Sequence, residues 1–235
     1  MDKYFTNKKY KNGEIISMVI TDLYNNNNYN NILFVRTPTT GNWLDNLFIN
    51  KEKITRILYD TNTTKNYKYY KYYKYHKTTT MIEHFDLEKT LKVANLKYDL
   101  ICVDPFHEYT NSKTDFNILS SFLTDNGIMI CHDCFPSNKL RASPKFKYGN
   151  WCGETYVAFI EFAYNNSNYF YSILNIDTGI GIISKLPYLN LYPLKNNFNI
   201  QKQEQLLLYH KNNDDLTYTY FYENCRDIMN MIDIT

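Results

Sequence analysis

No apolar run in this 235-residue sequence approaches the ~18 residues that a membrane-spanning helix needs, which excludes such a span. The first fourteen residues, MDKYFTNKKYKNGE, lack the apolar core of a secretory signal. A dominant charge is missing too. The 26 basic and 24 acidic side chains leave a formal +2, too mild for a dedicated nucleic-acid binder. The five cysteines are odd in number and fall at no regular spacing, unlike the disulfide framework of a small secreted protein. They are read as reduced, with Cys102 and Cys131 serving as small core residues inside apolar runs. The expectation is a soluble, cytoplasmic protein with neither a membrane nor a nucleic-acid partner.

What the sequence has in abundance is tyrosine and asparagine, which read as coding bias and say little about function. Its length suits one α/β domain with trimmings. The informative stretch is 97–136. Leu100-Ile101-Cys102-Val103 and Ile128-Met129-Ile130-Cys131 are short unbroken apolar runs, the pattern of parallel strands buried on both faces. The first stops at Asp104-Pro105-Phe106-His107-Glu108 and the second at His132-Asp133-Cys134. Between them Phe116, Leu119, Phe122 and Leu123 form a helical stripe, and Asp125-Asn126-Gly127 is expected to end that helix in a left-handed turn. A right-handed crossover makes the two strands parallel and puts both polar clusters on one edge, where open α/β sheets bind ligands.

Taken in order, Ile15 to Leu23 fits a strand or a short helix, and Asn25 to Asn31 a loop. Asn31 to Val35 reads as a buried strand ended by Arg36-Thr37-Pro38-Thr39-Thr40-Gly41, followed by a short helix at Trp43 to Phe48. Ile54 to Tyr59 is a second strand closing on Asp60, which either accepts hydrogen bonds from a ribose or starts a turn. The alternating Lys/Tyr tract from Lys65 to Lys77 is either a solvated loop or a surface for phosphates and bases. Met81 to Ala94 gives an edge segment and a helix, with Leu87, Leu91 and Val93 or Ala94 facing the sheet. After a basic loop at 136–150, Trp151-Cys152-Gly153-Glu154 opens a helix. Tyr169 to Leu174 and Ile180 to Ile183 flank Asp177-Thr178-Gly179 as an antiparallel hairpin. A last helix spans Leu216 to Ile232 in an otherwise polar tail.

Repeated strand–helix units closing in an antiparallel hairpin resemble class I methyltransferases, which use S-adenosylmethionine. The segments YDLICVDPFHEY, LTDNGIMICHDCFP, WCGETYVAFIEF, NIDTGIGII and TYFYENCRDIMNMI are similar to the sugar and small-molecule O-methyltransferase-like families over about residues 31–235. The resemblance implies a Rossmann-like, mostly parallel sheet at 31–185, flanked by extensions at 1–30 and 186–235.

It also implies roles for residues. Transfer of a methyl group to a hydroxyl needs that hydroxyl deprotonated and held in line. Family positions correspond to His107 as base, to Asp104, His132 and Asp133 as ligands of Mg or Mn, and to Thr37, Gly41, Asp60 and Asp104 for the cofactor. A histidine at 132, where the family has an acid, suits softer dications than Mg²⁺. Trp151, Lys139 and Arg141 would face a sugar or nucleotide-sugar acceptor, and self-association stays open. The first turn departs from the glycine-rich pattern, carrying threonines and only Gly41. That departure keeps alive a second reading, a catalytically degenerate fold serving as a binding or assembly module. A metal hydrolase built on the same four side chains is a third.

Overall fold

The computed structural model describes residues 14–27, 29–38, 53–61, 79–147, 149–189, 192–196, 199–212 and 215–233. In chain order they form α1 (Glu14–Asn27), β1 (Ile32–Arg36), β2 (Ile54–Asp60), β3 (Thr79–Glu83), α2 (Leu87–Ala94), β4 (Tyr98–Asp104), α3 (Tyr109–Ser120) and β5 (Leu123–Cys131). There follow α4 (Thr155–Asn165), β6 (Phe170–Leu174), β7 (Ile180–Ser184), the short pair β8 (Tyr188–Leu189) and β9 (Tyr192–Pro193), α5 (Ile200–Lys211), α6 (Thr217–Met229) and β10 (Met231–Ile232). The expected helix at Trp43 to Phe48 and the Lys65 to Lys77 tract lie outside the described residues.

Successive side chains of a strand point to opposite faces, and here both faces are apolar. Ile32, Phe34, Leu100, Cys102, Ile128 and Ile130 meet Ile16, Val19, Ile20 and Leu23 of α1. The spacing i, i+3, i+4, i+7 lets α1 bury one stripe, which settles the open reading of 15–23 as a helix. Leu33, Val35, Ile101, Val103, Met129 and Cys131 pack on the other face under α2, α3, α4, α5 and α6. The eight-stranded sheet runs β3-β2-β1-β4-β5-β7-β6-β10, with β7 antiparallel to both its neighbours. The chain builds outward from β1 through β2 to β3, then returns to β1's other side with β4. The ends of β1 and β4 therefore flank a topological switch point, the usual crevice for a ligand.

Three expectations need correction. The helix before β5 ends at Ser120, and Asp125, Asn126 and Gly127 belong to the strand, with no left-handed residue among them. Gly127 is required for a different reason, because a Cβ there would stand 2.8 Å from the Tyr98 carbonyl of β4. In α2, Leu87 and Leu91 are buried, but Val93 is 79% exposed and Ala94 is exposed as well. The tail holds two helices, and the last stops at Met229, where left-handed Asn230 (φ 48) turns the chain into β10. The flanking segments join the same body: α1 lines the core and β10 pairs with β6. Among the described residues no helix is long and apolar enough to cross a membrane.

Candidate active site

The ends of β4 and β5 put four side chains together. In the parallel ladder Arg36 pairs with Asp104 at the end of β4, and the His132 N–H donates to the Val103 carbonyl at 3.1 Å, one step beyond β5. Asp133 then adopts φ 58, a left-handed turn that aspartate tolerates better than most residues, and its carboxylate swings back toward β4. His107 is gripped by the chain that enters α4. Its carbonyl accepts the Glu154 N–H at 2.8 Å, and its Nδ1 lies 2.6 Å from the Trp151 carbonyl. Gly153 makes that grip possible: its φ is +54, and a Cβ would fall 2.0 Å from the His107 carbonyl oxygen.

The result is an alternating ring of imidazoles and carboxylates. His107 Nε2 is 2.9 Å from Asp104 Oδ1 and 3.1 Å from Asp133 Oδ2. His132 Nδ1 is 3.4 Å from both Asp104 Oδ2 and Asp133 Oδ2. A ligand atom from each of Asp104, His107 and Asp133 lies within 4.8 Å of the others, as metal binding requires. All four residues are buried.

Burial alone would raise the Asp104 pKa, yet hydrogen bonds and charge from His107 and His132 hold that carboxyl far below its usual range. Burial likewise opposes ionisation of Asp133, and the two imidazoles again prevail and lower its pKa. For His107 and His132 burial favours the neutral form, but the Asp133 and Asp104 carboxylates outweigh it and raise both pKa values, that of His132 strongly. A carbonyl can only accept, so the Trp151 contact fixes a proton on His107 Nδ1. Its Nε2, facing two carboxylates, must then carry a second proton or bind a cation. An imidazolium has no lone pair to offer, so the base role expected for His107 requires its Nε2 proton to leave first.

Other expected residues sit around the ring. Asp60 is buried at the end of β2, two strands from Asp104 and two residues beyond its level, so roughly 12 Å away. It lines an open recess of about 590 Å³ with Glu83, Asp86 and Lys89 on the β3 and α2 side of the sheet, bordered by none of the ring residues. Thr37 is buried, and its carbonyl accepts from Arg36 Nη1 at 3.1 Å; Gly41 lies outside the described residues. The Trp151 ring is only 5% exposed, edge-on to Phe106 and Phe146, so it braces His107 from behind. Lys139 is held on the surface by Asp215, and Arg141 fastens the loop through its carbonyl, which accepts the Cys152 and Gly153 N–H groups at 3.0 and 2.9 Å.

The sequence did not single out three partners. Asp177 Oδ2 lies 3.3 Å from His132 Nε2; the aspartate read only as a hairpin turn, although a turn beside a strand end is where such a contact would arise. Burial, with the Asp133 carboxylate beside it, pushes the Cys152 thiol pKa up. Tyr59 accepts the Phe106 N–H at 3.0 Å and so steadies the turn between Asp104 and His107.

A candidate caffeoyl-CoA O-methyltransferase from Staphylococcus aureus superposes with a TM-score of 0.50 at 20% identity, over 72% of this chain and 82% of its own. A Podospora anserina methyltransferase bound to S-adenosylhomocysteine gives 0.45 at 17% identity, over 72% and 77%. A Bacillus cereus O-methyltransferase in complex with the same molecule gives 0.45 at 10% identity, over 73% and 80%. No family model and no curated protein matches the sequence. The strand order, the single reversed strand and the first of these likenesses give the chain the Rossmann-like fold of class I S-adenosylmethionine-dependent methyltransferases.

Proposed function

We propose that this protein is an S-adenosylmethionine-dependent O-methyltransferase whose acceptor is a hydroxyl on a small molecule, a sugar or nucleotide sugar, and which works with a divalent cation. One observation carries the reading: the Asp104, His107, His132 and Asp133 ring lies at the ends of β4 and β5, beside the switch point of a methyltransferase-type sheet. The described residues suit both groups. Asp60 offers carboxylate oxygens to ribose hydroxyls in a recess whose size falls within the range of small-molecule sites. The ring offers two carboxylates and two imidazoles to a cation. When bound, S-adenosylmethionine supplies a sulfonium methyl, and a dication lowers the pKa of a hydroxyl.

The chain's own residues do the rest. Asp60, Thr37 and Gly41 hold the cofactor, and Asp104, His107, His132 and Asp133 hold the cation. The acceptor approaches from the side of His132 and Asp133, the more open half of the ring at 11% side-chain exposure each. Arg141, whose charge is felt at Cys152, offers a cationic contact to a phosphate-bearing acceptor.

Arg36-Thr37-Pro38, standing where an acid and glycines are expected, favours a rival reading in which the fold persists as a binding or assembly module. Calorimetry with S-adenosylmethionine separates the two. The enzyme reading expects saturable binding of one cofactor per chain, weakened about tenfold or more in Asp60→Ala, and methyl transfer to a nucleotide sugar seen by mass spectrometry. Absence of binding both with and without a divalent ion would defeat it in favour of the module.

A further inference from the structure

Each imidazole in the ring has one nitrogen on an outer acceptor and the other turned toward the same two carboxylates. His107 gives Nδ1 to the Trp151 carbonyl at 2.6 Å and turns Nε2 inward; His132 sets Nε2 beside Asp177 Oδ2 and Thr178 Oγ1, each at 3.3 Å, and turns Nδ1 inward. An ordinary ion pair needs no such outer contacts. Metal-ligating histidines have them as a rule, because a partner on the far nitrogen fixes both tautomer and ring orientation. The spacing of ring neighbours agrees: inward nitrogens and oxygens stand 2.9, 3.1, 3.4 and 3.4 Å apart, and Asp104, His107 and Asp133 each bring a ligand atom within 4.8 Å of the others. Neighbouring ligands around one first-row ion, with bonds of about 2.0–2.2 Å, are separated by roughly 3–3.5 Å.

We infer that this ring is a nitrogen-containing metal centre that selects a borderline transition-metal dication of the Zn²⁺ or Co²⁺ kind over Mg²⁺, with His107 as a ligand through Nε2 and Asp177, beside Thr178, as the charged residue that orients His132. The inference rests on the methyl-transfer reading for what the ion would do, and on the ring alone for the ion's identity. Mg²⁺ wants near-octahedral oxygen and keeps several waters, which a buried ring half made of imidazole does not provide. Imidazole nitrogen binds later first-row ions more tightly, in the order Mn²⁺ < Fe²⁺ < Co²⁺.

The test uses the full chain, stripped with a chelator and titrated separately with Zn²⁺, Co²⁺ and Mg²⁺ by calorimetry, with visible spectra of the Co²⁺ form. One Zn²⁺ or Co²⁺ per chain is expected, bound at least about 100-fold more tightly than Mg²⁺. The Co²⁺ bands should shift in His107→Gln, and affinity should fall by about 10–100-fold in Asp177→Asn. His132→Asp should move the preference toward Mg²⁺. If His107→Gln does not fold, as judged by circular dichroism, Asp177→Asn and His132→Asp decide. Equal or tighter Mg²⁺ binding, no bound ion, or Co²⁺ bands indifferent to these substitutions would overturn the inference. Cofactor calorimetry is scored separately: lost S-adenosylmethionine binding with intact Zn²⁺ selectivity sinks the methyl-transfer reading alone, and the reverse result sinks only this one.

Discussion

His107 and His132 owe their raised pKa values to Asp133 and Asp104, so without a metal the protons on these imidazoles are part of what holds the ring together. For a histidine whose folded pKa exceeds its unfolded value, the stabilisation is complete below the unfolded value near 6.5 and disappears as pH climbs through the folded one. Asp104 and Asp133, with lowered values, contribute above an unfolded pKa near 3.8 and lose that contribution as pH falls through their folded values. The chelated protein should therefore be most stable between about pH 4 and 6.5 and weaken above that window. Urea midpoints measured across pH 4 to 9 check this, and a midpoint still rising beyond pH 7 would contradict it. Asp104, His107, His132 and Asp133 were legible in the sequence because each stands where an apolar run stops. Asp177 and Cys152 were not, since their contacts depend on how a hairpin and a loop fold over the ring. The tautomer of His107 depends on a backbone carbonyl 44 residues away, which no local pattern reveals.

At the scale of elements, β2, β4 and α3 are tied by a buried polar string. The Tyr59 hydroxyl donates to Asp115 on α3 and accepts the Phe106 N–H after β4, while His84 Nε2 contacts the other Asp115 oxygen at 2.8 Å. Burial raises the Asp115 pKa, and its hydrogen bonds to His84 and Tyr59 only partly offset that. Tyr59→Phe keeps the ring but strands the Phe106 N–H and removes a donor from a buried carboxyl. A loss of roughly 1–3 kcal/mol is expected in urea unfolding. Tyr59→Phe combined with Asp115→Asn should lose less than the sum of the two single changes, because the charge left under-paired is gone. Strict additivity would refute the string as a unit. The strands carrying it were readable from unbroken apolar runs, but the end of α3 was not. Phe122 and Leu123 continue the helical apolar spacing into β5, and the register against Tyr98 decides that they belong to the strand side.

For the whole molecule, the question is whether the segment after β7 is an appendage or part of the core. Its sequence looks polar because tyrosines and asparagines surround few aliphatic residues, which is why it read as an extension. Yet Phe221, Ile228 and Met229 of α6 are fully buried, with Phe221 packed on Tyr156 of α4. Gln203 of α5 donates to the Ile228 carbonyl at 2.9 Å, and Asn230 donates to the Tyr171 carbonyl at 2.8 Å, fastening β10 beside β6. Burying three such apolar side chains is worth about 5–9 kcal/mol at 1.5–3 kcal/mol each. That approaches the 5–15 kcal/mol typical of an entire domain. Removing residues 216–235 would also bare the outer edge of β6, an invitation to aggregate. The shortened chain should lose cooperative thermal unfolding and associate, as seen by calorimetry and light scattering, even though none of the ring residues is deleted. A monomeric truncation that melts cooperatively near the full chain's midpoint would show that the sheet from β3 to β6 stands by itself and that the tail only decorates it.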